Sequence, residues 1–218
     1  VLSDKHESLG GKMVEFAGYL MPVQYEGVKV EHASVRDSVG VFDVSHMGEI
    51  FISGKNSEGF LQYITSNDVS KLTVGKVQYS CFPNNKGGIV DDLLVYKIEE
   101  NEYMLVVNAS NLEKDWEWIN SHNTFGVALE NKSDDYSLLA VQGPNSIKLL
   151  QQLTSVNLLE IKYYNFRIGE IAGIENVILS RTGYTGELGF ELYVKNEDTI
   201  QLWKKLFSTN TELMPIGL

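Results

Sequence analysis

The sequence predicts an α+β fold of two pseudo-repeated strand–helix–strand units packed together, and an internal repeat is the main observation behind this prediction. The segments GKNSEGFLQYITS (54–66) and GPNSIKLLQQLTS (143–155) agree at seven of thirteen positions. A second pair, 103–119 and 190–206, carries a tryptophan at the matching place in each copy. The offsets of 89 and 87 residues are nearly equal, so the two halves of the chain have the same order of elements.

Each repeat begins with the same local signals. An apolar strand-like run, 49–53 or 136–142, precedes the repeated segment. Glycine and an Asn-Ser pair then supply turn and N-cap chemistry, and apolar residues at helical spacing follow. The second pair of segments contains a strand, a polar turn with an asparagine, and a helix. Each half is therefore predicted to run strand, helix, two or three strands, and helix.

These patterns divide the chain into three segments. Residues 45–130 form the first predicted α+β unit and residues 135–218 the second, with the polar stretch 130–135 as the hinge. Residues 1–44 lie outside the repeat and are predicted to be an N-terminal segment that covers an apolar surface. Because the chain begins at Val1, without methionine, and ends directly after an amphipathic helix, we also expect it to be a piece of a longer protein.

Composition limits the classes of partner. Of the 218 residues, 43% are hydrophobic and 22% charged, which is typical of a soluble globular protein. The net charge of -11 argues against nucleic acid, and no cluster of basic residues indicates an anionic membrane surface. No apolar run has the length of a membrane span or of a signal peptide, and the single cysteine, Cys81, excludes an intrachain disulfide. We expect a cytoplasmic protein with neither nucleic acid nor membrane as partner.

Two adjacent aspartates stand in a predicted strand, GGIVDDLLVYK (87–97). Strand alternation places Asp91 on the face of Leu93 and Asp92 on the face of Leu94, and both faces are apolar beyond this point. Burying an unpaired carboxylate is costly, so such a group needs a raised pKa or a committed partner. Two interpretations remain open at this stage: a carboxylate that takes part in chemistry, or a pair of turn-capping aspartates at the start of a strand.

The stretch RTGYTGELGFELYV (181–194) contains a glycine at every third position followed by a strand. Glu191 lies within the apolar strand and either faces solvent or accepts hydrogen bonds from a ligand. The glycine-rich loop, with Tyr184 in it, would allow a flat aromatic ligand to approach the backbone.

The residue pattern gives little support to a nucleophilic catalytic site or to a metal site. Asp43, Ser45 and His46 are too close in sequence to form a catalytic triad on a strand, since His46 faces away from the other two. The four histidines show no metal-ligand spacing, and Cys81 has no cysteine partner. We expect no metal site.

Several motifs in this order resemble the aminomethyltransferase (T-protein) family of the glycine cleavage system, over essentially all of the chain. The motifs are GGKMVEFAGYLMPVQY, VFDVSHMGEI, GGIVDDLLVYK, LVVNASNLEKDW, LLAVQGP and RTGYTGELGFELYV. Six ordered motifs at family-like spacing are a far more specific signal than any one of them.

The resemblance implies a tetrahydrofolate-dependent transferase. Members of this family take an aminomethyl group from the lipoyl arm of the H-protein, release ammonia and form 5,10-methylenetetrahydrofolate. The implied partners are therefore lipoylated H-protein and tetrahydrofolate. The family continues into a C-terminal β-barrel domain that completes a ring around folate, and this domain would be missing from the present chain.

Matching motif to motif, the resemblance also implies the site residues. The essential aspartate of the family falls on Asp92, which would orient and activate the folate nitrogens, and the pterin-binding glutamate falls on Glu191. The other implied folate-pocket residues are Tyr184, Tyr79, Tyr96, Met47 and Asn108.

Three other functions stay open. One is a non-catalytic folate-binding relative, which the loop TGYTGE disfavours because such proteins carry a cysteine there. Another is a folate-dependent demethylase of the same superfamily, which acts on small methylated molecules. The last is a fragment that folds incompletely and has no activity.

Overall fold

In the computed structural model, which describes residues 1–209 and 212–218, helices and strands alternate along the chain as the repeat predicts. The helices are α1 (Ser3–Ser8), α2 (Val28–Asp37), α3 (Ser57–Ile64), α4 (Leu112–His122), α5 (Ser146–Leu150) and α6 (Thr199–Thr209). The strands are β1 (Met13–Phe16), β2 (Tyr19–Pro22), β3 (Gly40–Asp43), β4 (Gly48–Ser53), β5 (Val77–Pro83), β6 (Ile89–Glu99), β7 (Glu102–Val107), β8 (Ala128–Asn131), β9 (Tyr136–Gln142), β10 (Phe166–Ile171), β11 (Ile174–Ser180), β12 (Gly189–Lys195) and β13 (Met214–Ile216). Short 3₁₀ turns occur at Val69–Lys71, Ala109–Asn111 and Leu158–Glu160.

The chain divides into two compact units. One, which we call the middle unit, is Met47–Asp134, and the other, the N/C unit, combines Val1–His46 with Asp135–Leu218. The observed breaks at 47 and 135 lie close to those expected at 45 and 135. The N-terminal residues, expected to be a separate covering segment, group with the second repeat because β3 is a strand of its sheet.

The middle unit contains a five-stranded antiparallel sheet in the order β5-β6-β7-β4-β8. Alternate residues of its strands point toward α3 and α4 and form one apolar core with them, because a strand exposes successive side chains on opposite faces. Ile50, Leu93 and Leu105 from the strands and Phe60 and Ile119 from the helices belong to this core and are at most 3% exposed.

The N/C unit contains a six-stranded sheet in the order β10-β11-β12-β9-β3-β13, in which the β3–β13 pair is parallel and the other neighbouring strands, from β10 to β3, pair antiparallel. Its core joins one face of the sheet to α5 and α6 through residues such as Leu139, Leu192, Leu149 and Leu202, all fully buried.

The internal repeat is confirmed by the strand order. In the middle unit the order β5-β6-β7-β4 matches β10-β11-β12-β9 in the N/C unit, and a helix follows the first strand of each repeat. The two sheets differ at the next position, where β8 pairs with β4 but β3, from the N-terminal segment, pairs with β9. The prediction of two pseudo-repeated α+β units is therefore correct, and the N-terminal segment supplies an element that the repeat does not predict.

A buried cluster holds the start of the chain to this sheet. The His6 Nε2 atom lies 2.8 Å from Asp43 Oδ2, and the hydroxyl of Tyr25 lies 2.8 Å from His6 Nδ1. Ser45 donates to the other oxygen of Asp43. His46 instead packs edge-on against Phe16, at 5.3 Å between ring centroids.

Candidate functional site

The face of the middle sheet that points away from its helices carries most of the predicted site residues. We call it the second face, and define it by Tyr79, Asp92, Leu94, Val106 and Glu49. The strand register sets Tyr79 opposite Leu94, Leu94 opposite Val106, and Val106 opposite Glu49. Asp92 lies one row further along, opposite Cys81.

Asp92 is half-buried, and both of its carboxyl oxygens accept a hydrogen bond. The hydroxyl of Tyr79 donates to Oδ2 at 2.7 Å, and Asn108 donates to Oδ1 at 2.8 Å from its Nδ2 atom. Asn108 follows directly after β7, so it reaches Asp92 across the β6–β7 pair. Three of the predicted residues therefore meet, and together they fix the plane of the carboxyl group.

The other two predicted residues of the middle unit are Tyr96 and Met47. Tyr96 is fully buried on the second face, four residues along β6 and so about 13 Å from Asp92 along the strand. Met47 is half-buried and directly precedes β4, whose first residue, Gly48, pairs with Val107 next to Asn108.

Asp91, on the opposite face of β6, is the more deeply buried aspartate, with 8% exposure. Its neighbour is Asp115, a fully buried residue of α4 that sequence reasoning did not single out. Burial, and then the hydrogen bond with Asp91, raise the pKa of Asp115 to about 8. For Asp91 burial acts in the same direction, but hydrogen bonds from Asp115, Asn111 and Asn108 outweigh it, and its pKa is lowered. Of the two aspartates, Asp91 is therefore the one that enters the core, and Asp92 is the half-buried one.

A signal for Asp115 does exist in the sequence. Leu112, Trp116 and Ile119 recur at helical spacing on the core face of α4, and Asp115 falls on the same face. An acidic residue within an apolar helix face indicates a buried carboxyl group, but not its partner.

In the N/C unit, Glu191 projects from β12 on the face opposite the core, where Ser180 and Ala140 pair with it. The Thr182 hydroxyl donates to its Oε2 atom. Burial raises the pKa of Glu191, and the hydrogen bond from Thr182 partly offsets this. Glu191 is thus a half-buried acceptor whose ionised form needs further donors.

The glycine-rich loop before β12 borders a cavity of about 300 Å³. Its lining residues are Tyr163, Arg181, Thr182, Gly183, Gly186, Glu187, Leu188 and Gly189. Gln142 lies beneath the loop and accepts a hydrogen bond from Thr185 at 2.8 Å. A Cβ atom at Gly189 would come within 2.4 Å of the Gln142 side chain, so this glycine is needed for close packing within the protein. Tyr184, at the tip of the loop, is 88% exposed.

In the part of the chain that the structure describes, no three histidine, cysteine, aspartate or glutamate side chains are arranged to hold a metal ion. Among the same residues, no helix has the length and apolar character required to cross a membrane.

The GCVT N-terminal domain model matches residues 2–218, and the chain belongs to this family. It is 61% identical over its whole length to the aminomethyltransferase of Flavobacterium psychrophilum, and 56% identical over 99% of its length to that of Bacteroides fragilis. It covers 61% and 60% of these two relatives, so it spans about three fifths of their length.

Solved structures agree with this assignment. The glycine cleavage system aminomethyltransferase T of Bartonella henselae superposes with a TM-score of 0.91 at 31% identity, over 99% of this chain and 58% of that one. The heterotetrameric sarcosine oxidase of Corynebacterium sp. U-96 superposes with a TM-score of 0.61 at 16% identity, over 84% of this chain and 91% of that one, which shows a shared fold alone.

Proposed function

We propose that this chain forms the folate-binding and catalytic part of a tetrahydrofolate-dependent aminomethyltransferase of the glycine cleavage system. The enzyme takes the aminomethyl group from the lipoyl arm of the H-protein, releases ammonia and gives 5,10-methylenetetrahydrofolate. Membership of the GCVT N-terminal domain family carries this proposal. The names of the close relatives favour it over a demethylase or a non-catalytic folate-binding protein.

Asp92 is the residue to which we assign the chemistry. Loss of ammonia from a protonated aminomethyl thioether leaves a cationic carbon whose charge is shared with the lipoyl sulfur, and a fixed carboxylate nearby stabilises this charge. A folate nitrogen then attacks the carbon, and the lipoyl thiol leaves when the second folate nitrogen closes the ring. The same carboxylate can accept a proton from the attacking folate nitrogen. Hydrogen bonds from Tyr79 and Asn108 hold both oxygens in place, so the carboxylate does not need to reorganise during the reaction.

The remaining residues are assigned to folate binding. Tyr79, which is 50% exposed, offers an aromatic ring beside Asp92. Glu191 is proposed to accept hydrogen bonds from the N–H donors of the pterin, and Tyr184, Tyr96, Met47 and Asn108 to contact the ligand. Bound donors would also stabilise the ionised form of Glu191, which burial disfavours.

The replacement Asp92→Asn tests the assignment, because it keeps the shape of the side chain and removes its charge. We expect tetrahydrofolate to bind with nearly unchanged affinity by titration calorimetry. Turnover, measured as ammonia release with aminomethylated lipoyl H-protein and tetrahydrofolate, should fall by about 10²-fold or more.

The matched control is Glu99→Gln, an exposed acid on the same strand. This variant should behave like the unmodified protein in both measurements. Unchanged turnover of the Asp92→Asn variant would overturn the role of Asp92, and absence of tetrahydrofolate binding by the unmodified protein would overturn the proposed function itself.

A further inference from the structure

Asp91 and Asp115 form a buried pair of carboxyl groups that the proposed reaction does not use directly. The side chains are 8% and 0% exposed. No amide, hydroxyl or ammonium group in the described part of the chain donates to either oxygen of Asp115. An ionised carboxylate in such a position would carry the full cost of desolvation.

Helix α4 lies against β6 here, since Lys114 Nζ, next to Asp115, donates to the carbonyl oxygen of Val90, next to Asp91, at 2.7 Å. Asp91 Oδ2 and both oxygens of Asp115 are buried, and no other group of the described residues donates to them. A hydrogen bond between the two carboxyl groups supplies the donor that these oxygens lack. Two carboxylates can form such a bond only when one of them carries a proton, because ionised carboxylates are acceptors alone. The other contacts decide which residue holds the proton. Asp91 also accepts hydrogen bonds from Asn111 and from Asn108 Nδ2, the latter at 3.1 Å, and these favour its charged form. No further group of the described residues donates to Asp115.

The charged Asp91 also sets the direction of the Asn108 amide. The Nδ2 atom of Asn108 lies 3.1 Å from Asp91 Oδ1 and 2.8 Å from Asp92 Oδ1, so it donates to both carboxylates. Turning the amide over would place its oxygen against two negatively charged oxygens. The N–H group that holds Asp92 is therefore kept in place by Asp91.

We propose that Asp115 is a positioning residue for the reaction: a buried carboxylic acid that keeps Asp91 ionised and, through the Asn108 amide, fixes the carboxylate of Asp92. This inference rests on the proposed function for the role of Asp92. The titratable groups around the pair are Lys114 on α4, Asp92, and, beyond Asp92, Tyr79 and Cys81.

Carbon-13 NMR of the chain labelled at aspartate Cγ tests the protonation directly. We expect one aspartate resonance to titrate near pH 8, to be absent from the Asp115→Asn variant and to persist in the Glu117→Gln variant. Glu117 is the matched control because it is an exposed acid on the same helix. If every aspartate resonance has completed its titration below pH 5, the pair holds no proton at neutral pH and the proposal is wrong.

Turnover as a function of pH tests the positioning role. Ionisation of Asp115 above pH 8 removes one of the donors to Asp91 and places a second negative charge beside it, so turnover should decline there. In Asp115→Asn the neutral amide still donates to Asp91, and turnover should be retained with no such decline. Comparing the pH profiles of the Cys81→Ser protein with and without Asp115→Asn excludes a contribution of the Cys81 thiol to the alkaline decline.

Asp115→Leu removes the donor while keeping a side chain of similar size. We expect turnover to fall by about 10²-fold with unchanged affinity for tetrahydrofolate, since a small misplacement of a reacting group has such an effect. If this variant does not fold, the Asp115→Asn pH profile still decides. An alkaline decline of turnover in Asp115→Asn equal to that of the unmodified protein would overturn the positioning role. Unchanged turnover of Asp92→Asn would instead overturn the role of Asp92, and absence of tetrahydrofolate binding by the unmodified protein would overturn the proposed function.

Discussion

Glu49 is a buried acidic side chain of the second face of the middle sheet. It is 1% exposed, and no group among the residues that the structure describes forms a hydrogen bond with its Oε2 atom. Burial therefore raises its pKa well above the ordinary value. The sequence of the strand does not predict the burial of Glu49. Ile50 and Ile52 lie on the opposite face, and a polar residue that alternates with apolar ones in this way usually faces solvent.

A stability measurement checks this environment. A group whose pKa is higher in the folded than in the unfolded protein stabilises the fold when protonated, and this contribution is lost as the pH rises above its unfolded pKa of about 4.3. Glu49→Gln should therefore increase the free energy of unfolding at pH 8, by about 1 kcal/mol or more, and change it less at pH 5. Urea unfolding at both pH values measures the difference, and Glu102→Gln, an exposed acid on β7, is the control. A decrease at pH 8 would show that the carboxylate has a partner.

Glycine has different roles at equivalent positions of the two repeats. Gly54 and Gly143 begin the repeated segments and both have a positive φ, of 125° and 129°. A Cβ atom at Gly143 would lie 2.5 Å from the carbonyl oxygen of Ser38, after α2, whereas at Gly54 no atom comes closer than 3.9 Å. The positive φ requires glycine in both repeats, but only at Gly143 does the end of a helix, α2, also pack against the glycine.

This pair separates backbone strain from steric overlap. Gly54→Ala and Gly143→Ala carry the same strain from φ, so the difference between them reports the contact with Ser38. We expect Gly143→Ala to be the more destabilising by about 1 to 3 kcal/mol, the range of overpacked sites. Chemical denaturation of the two variants measures this difference, and equal losses would mean that the end of α2 moves away without cost.

For the whole chain, the cluster of His6, Tyr25 and Asp43 determines where the N-terminal segment belongs. Asp43 is 7% exposed, and hydrogen bonds from His6 and Ser45 outweigh its burial, so its pKa is lowered. The resulting stability is present above the unfolded pKa of about 3.9 and is lost as the pH falls through the lower folded value.

Asp43→Asn should consequently weaken the attachment of this segment. We expect a loss of about 1.5 to 3 kcal/mol at pH 7, the range for hydrogen bonds to charged groups, and a smaller loss in acid. Hydrogen exchange of the amides of α1 should accelerate, while those of α4 in the middle unit should remain protected. Equal acceleration in both helices would indicate global destabilisation rather than release of the segment.

The properties that sequence alone determined are those that depend on neighbouring residues and on repetition. Strand alternation separated Asp91 from Asp92, and the repeat predicted two units whose strand order is the same. The ordered motifs identified the family, and through it the residues that we assign to folate. The predictions of the fold and of the family succeeded because alternation, helical spacing and motif order can be read from short stretches of chain, whereas the assignment of individual residues to folate stays a prediction.

Only the tertiary structure decided the partners of the buried charges. Asp91 meets Asp115 across a strand and a helix, His6 reaches Asp43 over 37 residues, and β3 enters the sheet of the second repeat. Each of these contacts depends on which elements pack together, and local patterns do not specify this. For the same reason Glu49 is buried although its strand pattern suggests exposure, since the burial of a sheet face depends on what packs over it.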